Sequence, residues 1–139
     1  MMRAVLDTNV LIAFLLTGGR IVSTIIHCWE SGELEVVVSP QLLEELKEVA
    51  GQERIAQRLK SGALHTLLDS LAGDAIMVSG NLKLPGATPD PGDDMVVACA
   101  VEGGAGFIVS RDRHLLDMGA YGDILIVSPE EFAEALEGT

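Results

Sequence analysis

Apolar residues along the chain fall into short blocks broken by Gly, Pro and acidic residues, and the blocks are of two kinds. Short runs rich in β-branched residues read as strands: Arg3 to Leu6, Leu34 to Val38, Ala75 to Val78, Phe107 to Val109 and Ile124 to Val127. Longer blocks read as helices: Asn9 to Leu16, Arg20 to Trp29, Ser39-Pro40 to Val49, Glu53 to Lys60, Ala63 to Leu71, Asp93 to Val101 and Pro129 to Leu136, with a helical turn at His114 to Met118. Pro40 suits the first position of its helix, and Gly32 and Gly51 act as stops. Gly80 to Gly92 holds three prolines and three glycines and reads as a loop. The strands are apolar at nearly every position, so both sheet faces need cover. The pattern therefore predicts one α/β domain over residues 1–139, with a mainly parallel five-stranded sheet and helices on each face.

Composition agrees. Hydrophobic residues at 48% and charged residues at 22% suit a packed domain and exclude a disordered chain. The longest uninterrupted apolar stretch, Val10 to Leu16, falls well short of the roughly 18 residues of a membrane span. Asp7 precedes it where a signal peptide would be basic. A soluble, cytoplasmic protein without a membrane partner is expected. Cys28 and Cys99 lie far apart in apolar helical contexts and read as free buried thiols.

Charge changes the picture more. Asp and Glu total 21 against 9 Lys and Arg, a net charge of −12. Such a chain has no long-range attraction for phosphate backbones. Action on nucleic acid would require a local reversal of sign by a bound cation, a small basic patch or a partner.

Ligands of open parallel α/β sheets sit beyond the carboxyl ends of the strands. Asp7 follows the first strand, Ser39 the second, and Ser110 and Asp112 the fourth. Asp90, Asp93 and Asp94 cluster before the apolar helix. In the helix after Ser39, the apolar positions Leu42, Leu43, Leu46, Val49 and Ala50 form one stripe. Glu44 lies opposite that stripe and Glu45 at its edge, so Glu45 is the candidate for a cleft. Two carboxylates about 5 Å apart repel by roughly 3 kcal/mol at an effective dielectric of 20. A convergent set must be protonated or must hold a cation. An oxygen-only donor set favours Mg²⁺ or Mn²⁺, which activates water and stabilises displacement at phosphorus. Ser39 reads as an N-cap. Arg111 and Arg113 flank Asp112, where they either grip phosphate or pair with the many acids. Arg54, Arg58 and Lys60 read as a solvated face, and His27 and His65 have no companions that suggest chemistry.

The segments "AVLDTNVLI" (Ala4 to Ile12), "SPQLLEEL" (Ser39 to Leu46), "DPGDD" (Asp90 to Asp94) and "VSRDRHLL" (Val109 to Leu116) together resemble the four acidic motifs of PIN-domain nucleases. The tail "ILIVSPEEFAEAL" (Ile124 to Leu136) resembles the last strand and helix of the branch that contains toxins of toxin–antitoxin systems. The resemblance implies a three-layer α/β/α domain with sheet order 3-2-1-4-5, and Mg²⁺- or Mn²⁺-dependent hydrolysis of RNA. It implies Asp7, Glu45, Asp93 and Asp112 as the acidic set. Asp7 and Asp93 would be the principal metal ligands, Asp112 and Glu45 would complete the site directly or through water, and Asn9 and Ser110 would position them. The motif leaves the third acid open among Asp90, Asp93 and Asp94, with Asp93 preferred by its offset from the helix. Ser110 stands where the family usually has Thr, and a hydroxyl is retained. An RNA substrate, a cognate antitoxin and a homodimer are the implied partners.

A catalytically silent PIN-like module that binds a partner is the alternative. An aspartyl phosphotransfer domain fares worse, because Asp7 is followed by Thr8-Asn9 and Arg111 stands where a receiver domain has Lys. No Gly-x-x-x-x-Gly-Lys phosphate loop is present.

Overall fold

The computed structural model describes residues 1–138. Its strands are β1 (Met2–Leu6), β2 (Leu34–Val38), β3 (Ile76–Met77), β4 (Phe107–Val109), β5 (Ala120–Tyr121) and β6 (Ile124–Val127), joined in one sheet of order β3-β2-β1-β4-β6-β5. All pairings are parallel except that of β5 with β6. The expected five-stranded parallel core is present in the expected order, and β5 is an addition at its edge. This strand has two residues and no β-branched side chain, so no run announces it. The two-residue turn Gly122-Asp123, with Gly122 at φ 57°, folds it back onto β6 as a hairpin. β3 is shorter than the run Ala75 to Val78 that predicts it, although the Val78 amide still donates to the Val38 carbonyl at 3.0 Å.

The helices are α1 (Thr8–Thr17), α2 (Arg20–Glu30), α3 (Pro40–Ala50), α4 (Glu53–Ala56), α5 (Ala63–Asp74), α6 (Asp94–Gly103), α7 (Arg113–Met118) and α8 (Pro129–Glu137). α4 ends well before Lys60, because Ile55 is the only residue of its single turn that reaches the core. Beyond it, the Arg58 and Leu59 amides are taken up by turn bonds to Ile55 and Ala56. Among the described residues no single helix is long and apolar enough to cross a membrane.

Alternation along each strand assigns the two layers. Ala4, Leu6, Leu34, Val36 and Val109 pack with α1, α2, α5 and α8 on one face. Val5, Val37, Ile108, Ile124 and Ile126 pack with α6 and α7 on the other. Phe132 of α8 is fully buried, and its ring lies tilted against Phe107 of β4 with centroids 5.1 Å apart, which fixes α8 on the sheet. The second layer is held closely. A Cβ on Gly103 would stand 2.3 Å from Val37 Cγ1, so α6 lies against β2 at a distance only glycine permits.

Val37 is buried and β-branched and has little freedom to yield. Gly103→Ala is therefore expected to destabilise the fold by about 1–3 kcal/mol through overpacking. The shift of a urea unfolding midpoint at unchanged slope would measure it, and an unchanged midpoint would contradict the close approach.

Candidate active site

β1 and β4 are neighbours whose chains depart to opposite sides of the sheet, β1 towards β2 and β4 towards β6. That divergence opens a crevice at their carboxyl ends. Leu6 pairs with Val109, and the Asp7 amide extends the ladder by donating to the Val109 carbonyl at 2.9 Å. Asp7 is thereby set beside Ser110 with only 4% of its surface exposed. Its Oδ1 caps α1 by accepting from the Thr8 amide at 2.8 Å. Its Oδ2 accepts from the Ser110 hydroxyl at 2.7 Å and from Asn9 Nδ2 at 3.2 Å. Ser110 Oγ in turn accepts from Asn9 Nδ2 at 3.3 Å and from the Asp112 amide at 2.9 Å. The hydroxyl thus gives its one proton to Asp7 and fills its acceptor capacity with the groups on either side. The Arg111 amide donates to Asn9 Oδ1 at 3.1 Å and closes the network.

The remaining acids arrive from three further segments. Asp112 caps α7, its Oδ1 accepting from the His114 amide at 2.9 Å. Asp93 ends a 3₁₀ turn, Pro91–Asp93, at the entrance to α6. Glu45 sits half-buried on α3, whereas Glu44 is exposed. Ser39 caps α3 by accepting from the Leu42 amide at 3.2 Å.

The three neighbouring aspartates separate by what they bind. Asp90 caps the 3₁₀ turn, accepting from the Gly92 amide at 2.9 Å. Asp94 anchors the preceding loop, accepting from the Thr88 amide and hydroxyl at 2.8 Å each and from the Gly86 amide at 3.1 Å. These bonds, the Thr88 hydroxyl first among them, hold the Asp94 carboxyl below the usual range. Asp93 alone of the three faces the other acids.

Electrostatics binds the four acids into one group. Burial pushes the Asp7 carboxyl up, the hydrogen bonds from Ser110, Thr8 and Asn9 oppose the rise, and the Asp112 charge adds to it. Burial also raises Glu45. The nearby Thr8 hydroxyl opposes this without forming a bond of good geometry, and the charges of Asp7 and Glu48 add to it. Asp93 is pushed up to about 7, by burial first, then by the Asp112 carboxyl beside it and the charges of Asp112, Asp7 and Asp90. Asp93 Oδ2 is buried and receives no hydrogen bond. Two carboxylates satisfy each other only when a proton or a cation stands between them.

Among the described residues, no three Asp, Glu, His or Cys side chains are drawn together tightly enough to hold a metal ion by themselves. Mg²⁺ keeps several waters and takes one or two carboxylates, so it does not require such a cage. An oxygen-only set with an orphaned, buried carboxylate oxygen fits a hard, partly hydrated divalent ion.

Thr8 went unmarked by sequence reasoning. It is buried, and its hydroxyl lies near Glu45; its place directly after Asp7 was the available signal. Arg111 is bound by Glu130, whereas Arg113 is exposed and makes no ion pair among the described residues. Cys99 is a buried thiol pushed up to about 12, chiefly by burial, and is inert; Cys28 is only half-buried, short of the full burial expected.

Asp93 titrates near 7 in the folded protein against about 4 in an unfolded chain, so the folded state binds the extra proton between those values. Without divalent cations, this carboxyl contributes stability at low pH that is lost as pH rises towards 7. Asp93→Asn should remove that contribution to the slope. It should raise Tm at pH 7.5 by roughly 4 °C, about 1 kcal/mol after solvent screening of a half-exposed group. Thermal melts of both proteins in EDTA from pH 5 to 8 check this, and identical pH profiles would contradict the cluster.

A family model described as a PIN domain matches residues 3–114. No curated protein matches the chain. Among solved structures, the chain is similar to VapBC2 from Rickettsia felis, determined bound to a DNA fragment from its promoter. The TM-score is 0.63 at 13% identity, over 91% of this chain and 98% of that one. It is also similar to PAE2754 from Pyrobaculum aerophilum, with a TM-score of 0.64 at 14% identity over 99% of this chain and 91% of that one. At such identities the structural likeness is one of fold. The family match spans Asp7, Glu45, Asp93 and Asp112, and on that match the chain belongs to the PIN domain family.

Proposed function

We propose that the chain is a ribonuclease dependent on Mg²⁺ or Mn²⁺, and the toxin component of a toxin–antitoxin pair. The observation that carries the nuclease reading is the convergence of Asp7, Glu45, Asp93 and Asp112, from four chain segments, at the β1/β4 crevice with Asp93 Oδ2 orphaned. PIN domains are generally nucleases, which supports hydrolysis of phosphodiester bonds. The toxin reading draws support from the likeness to the Rickettsia felis VapBC2 structure, from which an antitoxin partner is inferred.

In this reading Asp7 and Asp93 would be the principal ligands, with Asp112 completing the site directly or through water. When bound, the divalent ion neutralises the carboxylates, eases ionisation of water and offsets charge developing on the phosphoryl oxygens. The residues of the chain do the positioning. Ser110 and Asn9 fix one oxygen of Asp7 in place by two hydrogen bonds, and the Thr8 amide fixes the other. Glu45 is half-buried, and burial pushes its carboxyl up, which makes it a stronger base towards attacking water than an exposed glutamate. Arg113 is exposed and follows Asp112 directly in sequence, which suits it to contact a phosphate.

Incubation of a mixed RNA pool with the protein and Mn²⁺ should yield cleavage that EDTA abolishes. Asp7→Asn should reduce cleavage at least 100-fold; Asn still caps α1 through its amide oxygen but turns Nδ2 towards the Ser110 and Asn9 donors, so a modest fall in Tm should accompany the loss, with the folded far-UV CD spectrum retained. Retained activity in that variant would reject the metal role, and an intact pool under every condition would favour a silent partner-binding module. Glu45→Gln should cost at least tenfold in rate while Glu44→Gln is silent within a factor of about two. Equal losses would refute the assignment of Glu45. Millimolar Mg²⁺ should raise Tm by several degrees by relieving carboxylate repulsion, and no shift in a metal titration would count against the site.

A further inference from the structure

Arg111 lies between Ser110 and Asp112, and its amide is tied to Asn9 Oδ1, so its backbone is fixed to the carboxylate cluster. Its guanidinium is engaged by α8. Nη1 donates to Glu130 Oε1 at 3.3 Å and Nη2 to Glu130 Oε2 at 3.2 Å. Two parallel bonds onto two oxygens of one anion are also how a guanidinium grips a phosphodiester. The side chains are 45% and 50% exposed, so water screens the pair and its loss costs the fold little.

The charge distribution makes this pair matter. Between Phe107 and Met118 the only Lys or Arg residues are Arg111 and Arg113, in a chain of net charge −12. With Arg111 neutralised, that segment offers a phosphate Arg113 alone. The amino end of α8 is no substitute, since Ser128 and Glu131 close it with reciprocal bonds of 3.1 and 3.0 Å and its first turn carries Glu130 and Glu131.

We propose that Glu130 competes with the RNA backbone for Arg111: it holds the guanidinium ready in the two-pronged geometry and must release it when a phosphodiester enters beside Asp112. Substrate binding then carries the cost of breaking this pair, and Glu130 sets the affinity. The inference rests on the ribonuclease reading above and adds to it a residue outside the four acidic motifs.

The probe is a fluorescein-labelled single-stranded oligouridylate of twelve nucleotides, followed by anisotropy in Mg²⁺ at several salt concentrations, with its integrity checked on a gel. Glu130→Gln should tighten binding about fivefold, because Arg111 no longer has to leave a carboxylate before it meets the phosphate, while the slope of log K against log salt stays near the wild-type value, the number of phosphate contacts being the same. Glu134→Gln, an equal charge change at an exposed position of the same helix, should leave both nearly unchanged. Arg111→Ala should weaken binding by a similar factor, and in that background Glu130→Gln should have no effect. On a cleaved RNA, Glu130→Gln should lower KM and leave kcat unaltered. Equal effects of Glu130→Gln and Glu134→Gln, or a Glu130 effect that survives in Arg111→Ala, would overturn the proposal while Mn²⁺-dependent cleavage left the ribonuclease reading standing. Absence of both binding and cleavage would overturn the two together.

Discussion

The site depends on the pairing of β1 with β4, two strands about a hundred residues apart in sequence that end in register at Leu6 and Val109. That register brings the Ser110 hydroxyl to 2.7 Å from Asp7 Oδ2. The bond does two things at once. It opposes the rise that burial imposes on the Asp7 carboxyl, and it fixes the strand end from which Asp112 and Arg111 project. A slip of one residue would turn Asp7 or Ser110 to the opposite face and separate them. The close seat of α6 on β2 at Gly103 serves the same end, since α6 carries Asp93 at its other terminus.

Around that bond the molecule gathers negative charge that it does not neutralise itself. Asp7, Glu45 and Asp93 are all raised by burial and by one another or by Asp112, and no basic side chain forms an ion pair with them among the described residues. A proton or a cation would satisfy Asp93 Oδ2, whose carboxyl is pushed up to about 7 by burial first and then by its acidic neighbours. Arg111, next to Asp112 in sequence, is bound to Glu130 and not to the acids.

Much of this was legible in the sequence for identifiable reasons. Strands β1, β2, β4 and β6 announce themselves because each is a short, largely apolar run, the pattern of a strand covered on both faces. The helical wheel separated Glu45 from Glu44 because an amphipathic stripe fixes which neighbours turn inward, and here one is half-buried and the other exposed. Strand β5 was hidden because two residues make no periodicity, and α4 was overdrawn because a helical pattern does not reveal that the core ends after Ile55. Asp90, Asp93 and Asp94 looked alike because their roles are set by the loop amides and the carboxyls they meet, and those contacts lie outside any local pattern.

The sequence by itself determined which segments become strands and helices and which acids stand at strand ends, since periodicity and capping are local properties. Only the tertiary structure decided that Asp93 faces the other acids while Asp94 is spent on Thr88 and Gly86, and that Glu130 holds Arg111. Those outcomes turn on distances between groups far apart along the chain, and burial, repulsion and hydrogen bonding act through space.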